Sequence, residues 1–256
     1  MSSRLQKLLL QVEHAYKNLI DTQSKSVGNG DAFNVFNVIG LWSEEVRLHS
    51  AMIKELLDPS GSHGCSDRFL RLFYDKVYNR SIPEEKSLAK AIVEAEYYIG
   101  PVSDDKKDGG RIDILVMVPI ELDIPSLIIE NKIYALDQEN QLLRFSNFGN
   151  REYENQFILT YLTLDGKKPS VFYTGDCTGI EPCCKSYNNH IITWLQSCAQ
   201  VAFDKPKVRE TIIQYIDLLK QITEYTMVKN DDIVNIVASS EENLVSGLQM
   251  IGDLSS

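Results

Sequence analysis

Cysteine and long apolar runs are scarce in this sequence, and each scarcity argues against a class of protein. The 256 residues include five cysteines, and the first ten residues lack the apolar block of a signal peptide. An odd cysteine count without a signal peptide argues against the disulfide framework of a secreted domain. No stretch approaches the ~20 apolar residues that cross a bilayer. We therefore expect a cytoplasmic protein with reduced cysteines and no membrane partner.

Basic residues are also fewer than acidic ones. Lys and Arg total 26 against 36 Asp and Glu, which gives a net charge of -10. Such a surface repels phosphates, so a protein that coats nucleic acid nonspecifically is not expected. A local basic groove remains compatible with a nuclease, because active-site carboxylates themselves add negative charge. Loops of the GxxxxGK[ST], GxSxG and Rossmann types are absent, which argues against ATPases, α/β-hydrolases and dehydrogenases.

The cysteines suggest one metal centre. Cys177, Cys183, Cys184 and His190 lie close together in the sequence. They contain no C-x2-C pair, and adjacent cysteines rarely both bind one ion. We therefore favour packed or loop cysteines, and zinc binding is the alternative.

The order of helical and strand patterns predicts an α/β fold. Strands are predicted at 91–99, 111–118, 127–133, 157–164 and 190–193, and helices at 4–20, 33–57, 66–79, 137–148, 207–226 and 231–250. No linker or repeat divides the chain. We therefore expect one domain over residues 1–256, with a mixed central sheet flanked by helices. Its core would span about residues 33–200, with helical additions at 1–32 and 205–256.

Two acids and a lysine on neighbouring strands indicate chemistry. Glu130 and Lys132 lie two residues apart in one strand, so both side chains project from the same face of the sheet. Pairing with the preceding strand would bring Asp113 close to Glu130. Two carboxylates about 4 Å apart repel by roughly 4 kcal/mol at an effective dielectric of 20. Lys132 offsets part of this repulsion, and a bound Mg²⁺, which takes oxygen ligands, would offset more.

The surrounding residues matter because D…ExK alone is short and also fits an ordinary strand with one Glu–Lys pair. Residues 128–133 (IIENKI), with Asp113 upstream, resemble the D…(D/E)xK signature of the PD-(D/E)XK nuclease superfamily. Residues 36–70 include EVRLHS, LLDP and SHG, and they resemble the N-terminal block of a bacterial branch of that superfamily. Residues 137–145 resemble the helix that follows its motif. The resemblance covers about residues 33–165.

This resemblance implies a restriction-endonuclease-like core with extra N- and C-terminal helices, and a metal-dependent nuclease whose expected substrate is DNA. Asp113 and Glu130 would bind the metal, with Glu45, carried by a helix, as a further acid and metal ligand that supports the site. Lys132 would be the catalytic lysine, and Gln141 would orient the lysine, the water or a phosphate. The expected ion is Mg²⁺, with Mn²⁺ as a substitute. The same fold used as a nucleic-acid or protein-binding module, with weak or lost catalysis, is the alternative.

Further residues are placed by the pattern around the site. Glu45 falls on the apolar face of its predicted helix, where a carboxylate is rarely buried without a partner. Arg111 and Arg144 are candidate phosphate-binding residues. The sequence departs from the family pattern at Phe145, where RecB-like relatives have tyrosine, and at Ile112, where the leading proline is absent. Neither departure removes a metal ligand. No recognition domain is visible, so targeting is assigned to a partner protein, to homodimerisation or to the loop at 170–190.

Overall fold

The computed structural model describes residues 33–135, 138–154, 156–175 and 181–238. The described residues fall into two compact units, one of residues 39–220 and one that includes residues 33–38 and 221–238. The predicted helix at 4–20 lies outside the described residues, as does the start of the helix predicted at 137–148. The expectation of a single domain stays a prediction.

A mixed sheet of five strands forms the centre of the unit of residues 39–220. The strands are β1 (Ile92–Tyr98), β2 (Arg111–Met117), β3 (Ser126–Lys132), β4 (Phe157–Thr163) and β5 (Cys183–Ser186), and they are arranged in that order. The first three strands pair antiparallel, whereas β3, β4 and β5 pair parallel. All seven residues of β3 are buried, as expected for a central strand covered on both faces. The predicted mixed α/β fold is therefore confirmed.

Helices of the same unit cover both faces of this sheet. The helices of the described residues are α1 (Val35–Val38), α2 (Ala51–Leu57), α3 (Arg68–Tyr78), α4 (Gln141–Tyr153), α5 (Val171–Thr174), α6 (Ile192–Val201) and α7 (Pro206–Ala238), of which α1 belongs to the other unit. Helix α4 connects the parallel strands β3 and β4, which need such a crossover. Its apolar side chains join those of β2, β3 and β4 in one core cluster that includes Leu115, Ile128, Phe145 and Leu159. None of the described helices is long and apolar enough to span a bilayer.

Several predicted elements differ from the structure. The helices predicted at 207–226 and 231–250 form one helix, α7, up to Ala238, and residues 239–250 lie outside the described residues. The region predicted as a loop at 170–190 contains α5 and β5. The helix predicted at 33–57 is interrupted, because Gly40 has a φ of +70°, which a continuing right-handed helix does not allow. The chain becomes helical again in a π-helical segment, Glu45–Ser50, which leads into α2. The strand predicted at 190–193 is wrong: a π-helical segment, Tyr187–Ile191, leads directly into α6 at Ile192. At the start of that segment the Ser186 side chain accepts a hydrogen bond from the backbone N–H of Asn189. Short apolar runs fit a strand and a buried helix equally well, which explains the error.

Candidate active site

The carboxyl groups of Asp113 and Glu130 meet where β2 and β3 separate. Paired residues of the two strands end at Ile114 and Ile129. Beyond them, Oδ2 of Asp113 accepts a hydrogen bond of 2.6 Å from the backbone N–H of Asn131. The Asp113 and Glu130 side chains are close enough for the charge of Glu130 to raise the pKa of Asp113. This interaction fits the predicted approach of the two acids, whose role as metal ligands stays a prediction.

Both acids of this pair resist ionisation. Burial raises the pKa of Asp113 well above its usual value, and the charge of Glu130 raises it further, against the Asn131 N–H, which lowers it. Burial also raises the pKa of Glu130, and Lys132 and the Tyr173 hydroxyl oppose this shift. Two neighbouring carboxylates, one buried and one partly buried, disfavour the doubly charged form of the pair. A cation between them would favour it.

Lys132 and Tyr173 both reach the same oxygen of Glu130. The ammonium Nζ of Lys132 lies 3.3 Å from Oε1 of Glu130, and both side chains are buried. The hydroxyl of Tyr173, carried by α5, donates a hydrogen bond to that oxygen. The same ammonium lies 5.5 Å from the centre of the Tyr173 ring, within the range of a cation–π interaction. Burial and the Glu130 charge raise the pKa of Tyr173, so its hydroxyl stays a donor.

The donor set fits a hard divalent cation. Oε2 of Glu130 and Oε1 of Gln141 are buried acceptors without a hydrogen-bond partner among the described residues. Buried acceptors of this kind are costly unless a donor or cation satisfies them. Within the same residues, no group of three or more His, Cys, Asp or Glu side chains is placed to hold a metal. An ion bound by Asp113 and Glu130 would therefore take further ligands from water, phosphate or backbone, as Mg²⁺ commonly does.

The suggested zinc ligands do not cluster in the part of the chain that the structure describes. Cys183 and Cys184 are free cysteines on β5. Nδ1 of His190 lies 3.0 Å from Oγ of Ser186. Cys177 lies outside the described residues.

Glu45 supports the turn that follows Lys132. Its Oε1 accepts hydrogen bonds from the backbone N–H groups of Ile133 at 2.7 Å, Ala135 at 2.8 Å and Tyr134. A carboxylate that accepts three backbone N–H groups fixes the end of β3 at that place. Its role as a metal ligand stays a prediction.

The two candidate phosphate-binding arginines have different surroundings. Arg144 is buried, and it donates to the carbonyl of Gly109 at 3.0 Å and to that of Glu139 at 2.6 Å. It therefore fastens the β1–β2 loop to the N-terminal end of α4. Arg111 is exposed and forms an ion pair of 3.7 Å with Glu96. Phosphate binding stays a prediction for both.

Glu96 is a residue of the site that the sequence pattern did not indicate. It stands between the pairs Ala95–Ile114 and Tyr97–Ile112, and therefore opposite Asp113. Its φ of +55° is unusual for a residue other than glycine and costs about 1–3 kcal/mol. Its charge contributes to the raised pKa of Asp113. The sequence around Glu96 is that of an ordinary strand, so only the pairing of β1 with β2 shows that Glu96 lies opposite Asp113.

Asn131 links the site to the helices on the opposite face of the sheet. Its side chain donates to Oγ of Ser50 at 3.0 Å and accepts from the Tyr187 hydroxyl at 2.9 Å. The Tyr187 hydroxyl also contacts Tyr215, whose hydroxyl lies 3.0 Å from Nδ1 of His49. A network of buried hydrogen bonds thus holds Asn131 in place between Glu130 and Lys132. In the sequence, this network was indicated by the amide of Asn131, which lies on the strand face that otherwise carries apolar side chains.

A mixed sheet that brings two carboxylates and a lysine together at the end of its central strand defines a restriction-endonuclease-like α/β protein. Comparison with protein families agrees with this class: the family model of the PD-(D/E)XK nuclease superfamily matches residues 33–217. The chain belongs to this superfamily. Searches of curated proteins and of solved structures found no match. The membership supports a nuclease-type enzyme with a nucleic-acid substrate and a divalent metal ion.

Proposed function

We propose that this protein is a Mg²⁺-dependent nuclease that hydrolyses phosphodiester bonds of DNA. The observation that carries the proposal is the partly buried Asp113 beside the buried Glu130 and Lys132, with Oε2 of Glu130 left without a donor. Such a pair is unfavourable in a folded protein unless a cation compensates it. Family membership supports the same chemistry.

In this proposal the two carboxylates hold the metal, and the remaining residues orient the substrate and the water. Mg²⁺ bound there would supply a Lewis acid that acidifies a water and offsets charge on the phosphate. Lys132 keeps a compact positive charge at the buried end of β3, where it positions the attacking water or counters the charge that builds on the phosphate. Mn²⁺ would substitute for Mg²⁺.

The other predicted residues have supporting roles in this proposal. Glu45 acts as a further acid of the site, and Gln141 orients the water or a phosphate through its buried Oε1. Arg111 and Arg144 contact phosphates at the β1–β2 loop. The enzyme acts in the cytoplasm, and a partner protein or a second copy of the chain directs it to its substrate.

Cleavage assays on purified variants test the proposal. Asp113→Asn, Glu130→Gln and Lys132→Ala should each abolish Mg²⁺-dependent cleavage while the far-UV circular dichroism stays unchanged. Glu121→Gln is the matched control, because this exposed acid lies in the turn between β2 and β3, at the other end of these strands. Single-stranded, duplex and branched DNA, with matching RNA, would define the substrate. Cleavage retained in all three variants refutes the assignment, and absence of cleavage by the wild type favours a binding module.

A further inference from the structure

Tyr173 contacts two members of the acid–acid–lysine site, Glu130 and Lys132, from outside β2 and β3. It lies on the short helix α5, in the connection between β4 and β5, and its side chain is fully buried. Its hydroxyl donates to Oε1 of Glu130, and its ring faces the ammonium of Lys132 at 5.5 Å. One side chain thus touches both the acid and the base.

The position of Tyr173 is fixed by the contacts of its own segment. The carbonyl of Phe172 accepts a hydrogen bond of 3.0 Å from the backbone N–H of Asn140, just before α4. Gly175 ends α5 against the same residue: a Cβ at this position would lie 2.5 Å from Oδ1 of Asn140. The Tyr173 ring packs 5.4 Å from that of Tyr161 on β4. The hydroxyl is therefore held in place by backbone and core contacts on two sides.

The two oxygens of Glu130 consequently have unequal surroundings. Oε1 has the Tyr173 hydroxyl and the Lys132 ammonium as partners, whereas Oε2 is buried without a donor. A carboxylate held through one oxygen by two donors has little freedom to rotate. Its second oxygen is then the one available to a cation.

We propose that Tyr173 is a positioning residue that fixes Oε1 of Glu130 through its hydroxyl, so that Oε2 is presented to the metal, and that its ring holds the ammonium of Lys132. The inference about the metal concerns binding alone, while the role of the ring rests on the proposed nuclease function. Residues that orient metal ligands in this way commonly contribute about 10–100-fold to metal affinity or activity.

Isothermal titration calorimetry of Mn²⁺ binding to the purified full chain, in the absence of substrate, tests the role of the hydroxyl. Tyr173→Phe removes the hydroxyl and keeps the ring, and we expect about 10–100-fold weaker Mn²⁺ binding. Tyr74→Phe is the matched control, because it also removes a buried tyrosine hydroxyl, one that donates to the Pro125 carbonyl at 2.5 Å, away from the site. Its Mn²⁺ affinity should stay within about twofold of the wild type, since no group of the site changes.

Steady-state cleavage kinetics test the role of the ring. Tyr173→Leu removes the hydroxyl and the ring, so at saturating Mn²⁺ its kcat should fall below that of Tyr173→Phe. Equal Mn²⁺ affinity of Tyr173→Phe and wild type, or an equal loss in Tyr74→Phe, overturns the role of the hydroxyl. Equal kcat of the Leu and Phe variants overturns the role of the ring. If the wild type binds Mn²⁺ but cleaves nothing, the nuclease function fails, while the affinity comparison still decides the role of the hydroxyl.

Discussion

The carboxylate of Asp113 accepts the backbone N–H of Asn131 at 2.6 Å, where a main-chain carbonyl would continue an ordinary antiparallel ladder. The acid is therefore part of the β2–β3 junction as well as of the predicted metal site. The Asp113 carboxylate lies close to Glu130 because β2 pairs with β3. Stability and metal binding should for this reason depend on the same side chain.

The metal-free protein should become more stable when Asp113 is replaced by Asn. The raised pKa of Asp113 means that the folded state binds more protons than the unfolded state between the usual and the raised pKa. The stability of the wild type therefore falls as the pH rises through that range, and this contribution is missing in the variant. At neutral pH, in EDTA, we expect Asp113→Asn to be more stable by on the order of 1 kcal/mol, about 2–4 °C in Tm.

Thermal melts from about pH 4 to pH 8 check this sign. The difference between the two proteins should shrink toward low pH, where the carboxyl group is protonated in both states. Glu121→Gln, at an exposed position between β2 and β3, is melted in parallel as the control for an acid-to-amide change away from the site. A wild type that is more stable than Asp113→Asn at pH 8 in EDTA would contradict the expectation.

Addition of a divalent cation should reverse the order of stability. A ligand at 100 times its Kd adds about 2.7 kcal/mol to the free energy of unfolding. We expect Mg²⁺ or Mn²⁺ to raise the Tm of the wild type, and to raise that of Asp113→Asn or Glu130→Gln much less, because each variant lacks one ligand. Differential scanning calorimetry with and without the ion measures this effect. An equal rise in all three proteins would place the ion elsewhere.

Replacement of Glu45 should weaken the turn after β3. Its Oε1 is the acceptor for three successive backbone N–H groups, and hydrogen bonds to charged groups contribute about 1.5–3 kcal/mol. We expect Glu45→Ala to lose about 2–3 kcal/mol in urea denaturation and Glu45→Gln to lose less, since the amide oxygen can still accept. Glu44→Ala serves as the neighbouring control. Mn²⁺ titration of Glu45→Gln separates the two roles, because a metal ligand, unlike a turn support, loses affinity when its charge is removed.

Asn131 should be coupled energetically to Tyr187. Asn131→Leu leaves the Tyr187 hydroxyl without the acceptor that it contacts at 2.9 Å, at a cost of about 1–3 kcal/mol. The double variant with Tyr187→Phe should lose less than the sum of the two single variants, because it removes both partners of one hydrogen bond. Urea denaturation of the four proteins measures the coupling. Strict additivity would show that the hydrogen bond contributes nothing, and Asn150→Leu on the exposed face of α4 is the control.

The arrangement of the two acids and the lysine was predictable from the sequence where it depends on strand periodicity and pairing. Glu130 and Lys132 share a face because they are two residues apart, and Asp113 joins them because β2 precedes β3 in an antiparallel pair. Tyr173 was not predictable in this way, because it lies 43 positions from Glu130 in a connection without a periodic pattern. Glu96 required knowledge of the β1–β2 register. The helical structure at 190–193 was missed because Ser186, which caps the helical segment, lies upstream of the apolar run.

The alternation of side chains along β3 also limits how this segment can evolve. Glu130 and Lys132 project toward Tyr173, whereas Asn131 projects toward Ser50 and Tyr187. Insertion or deletion of a single residue within the strand would exchange the two sets: both charged side chains would turn toward Ser50 and Tyr187, and the amide toward Tyr173. Homologous chains should therefore vary in side chains along β3 while its length, counted from the point of pairing with β2, stays constant.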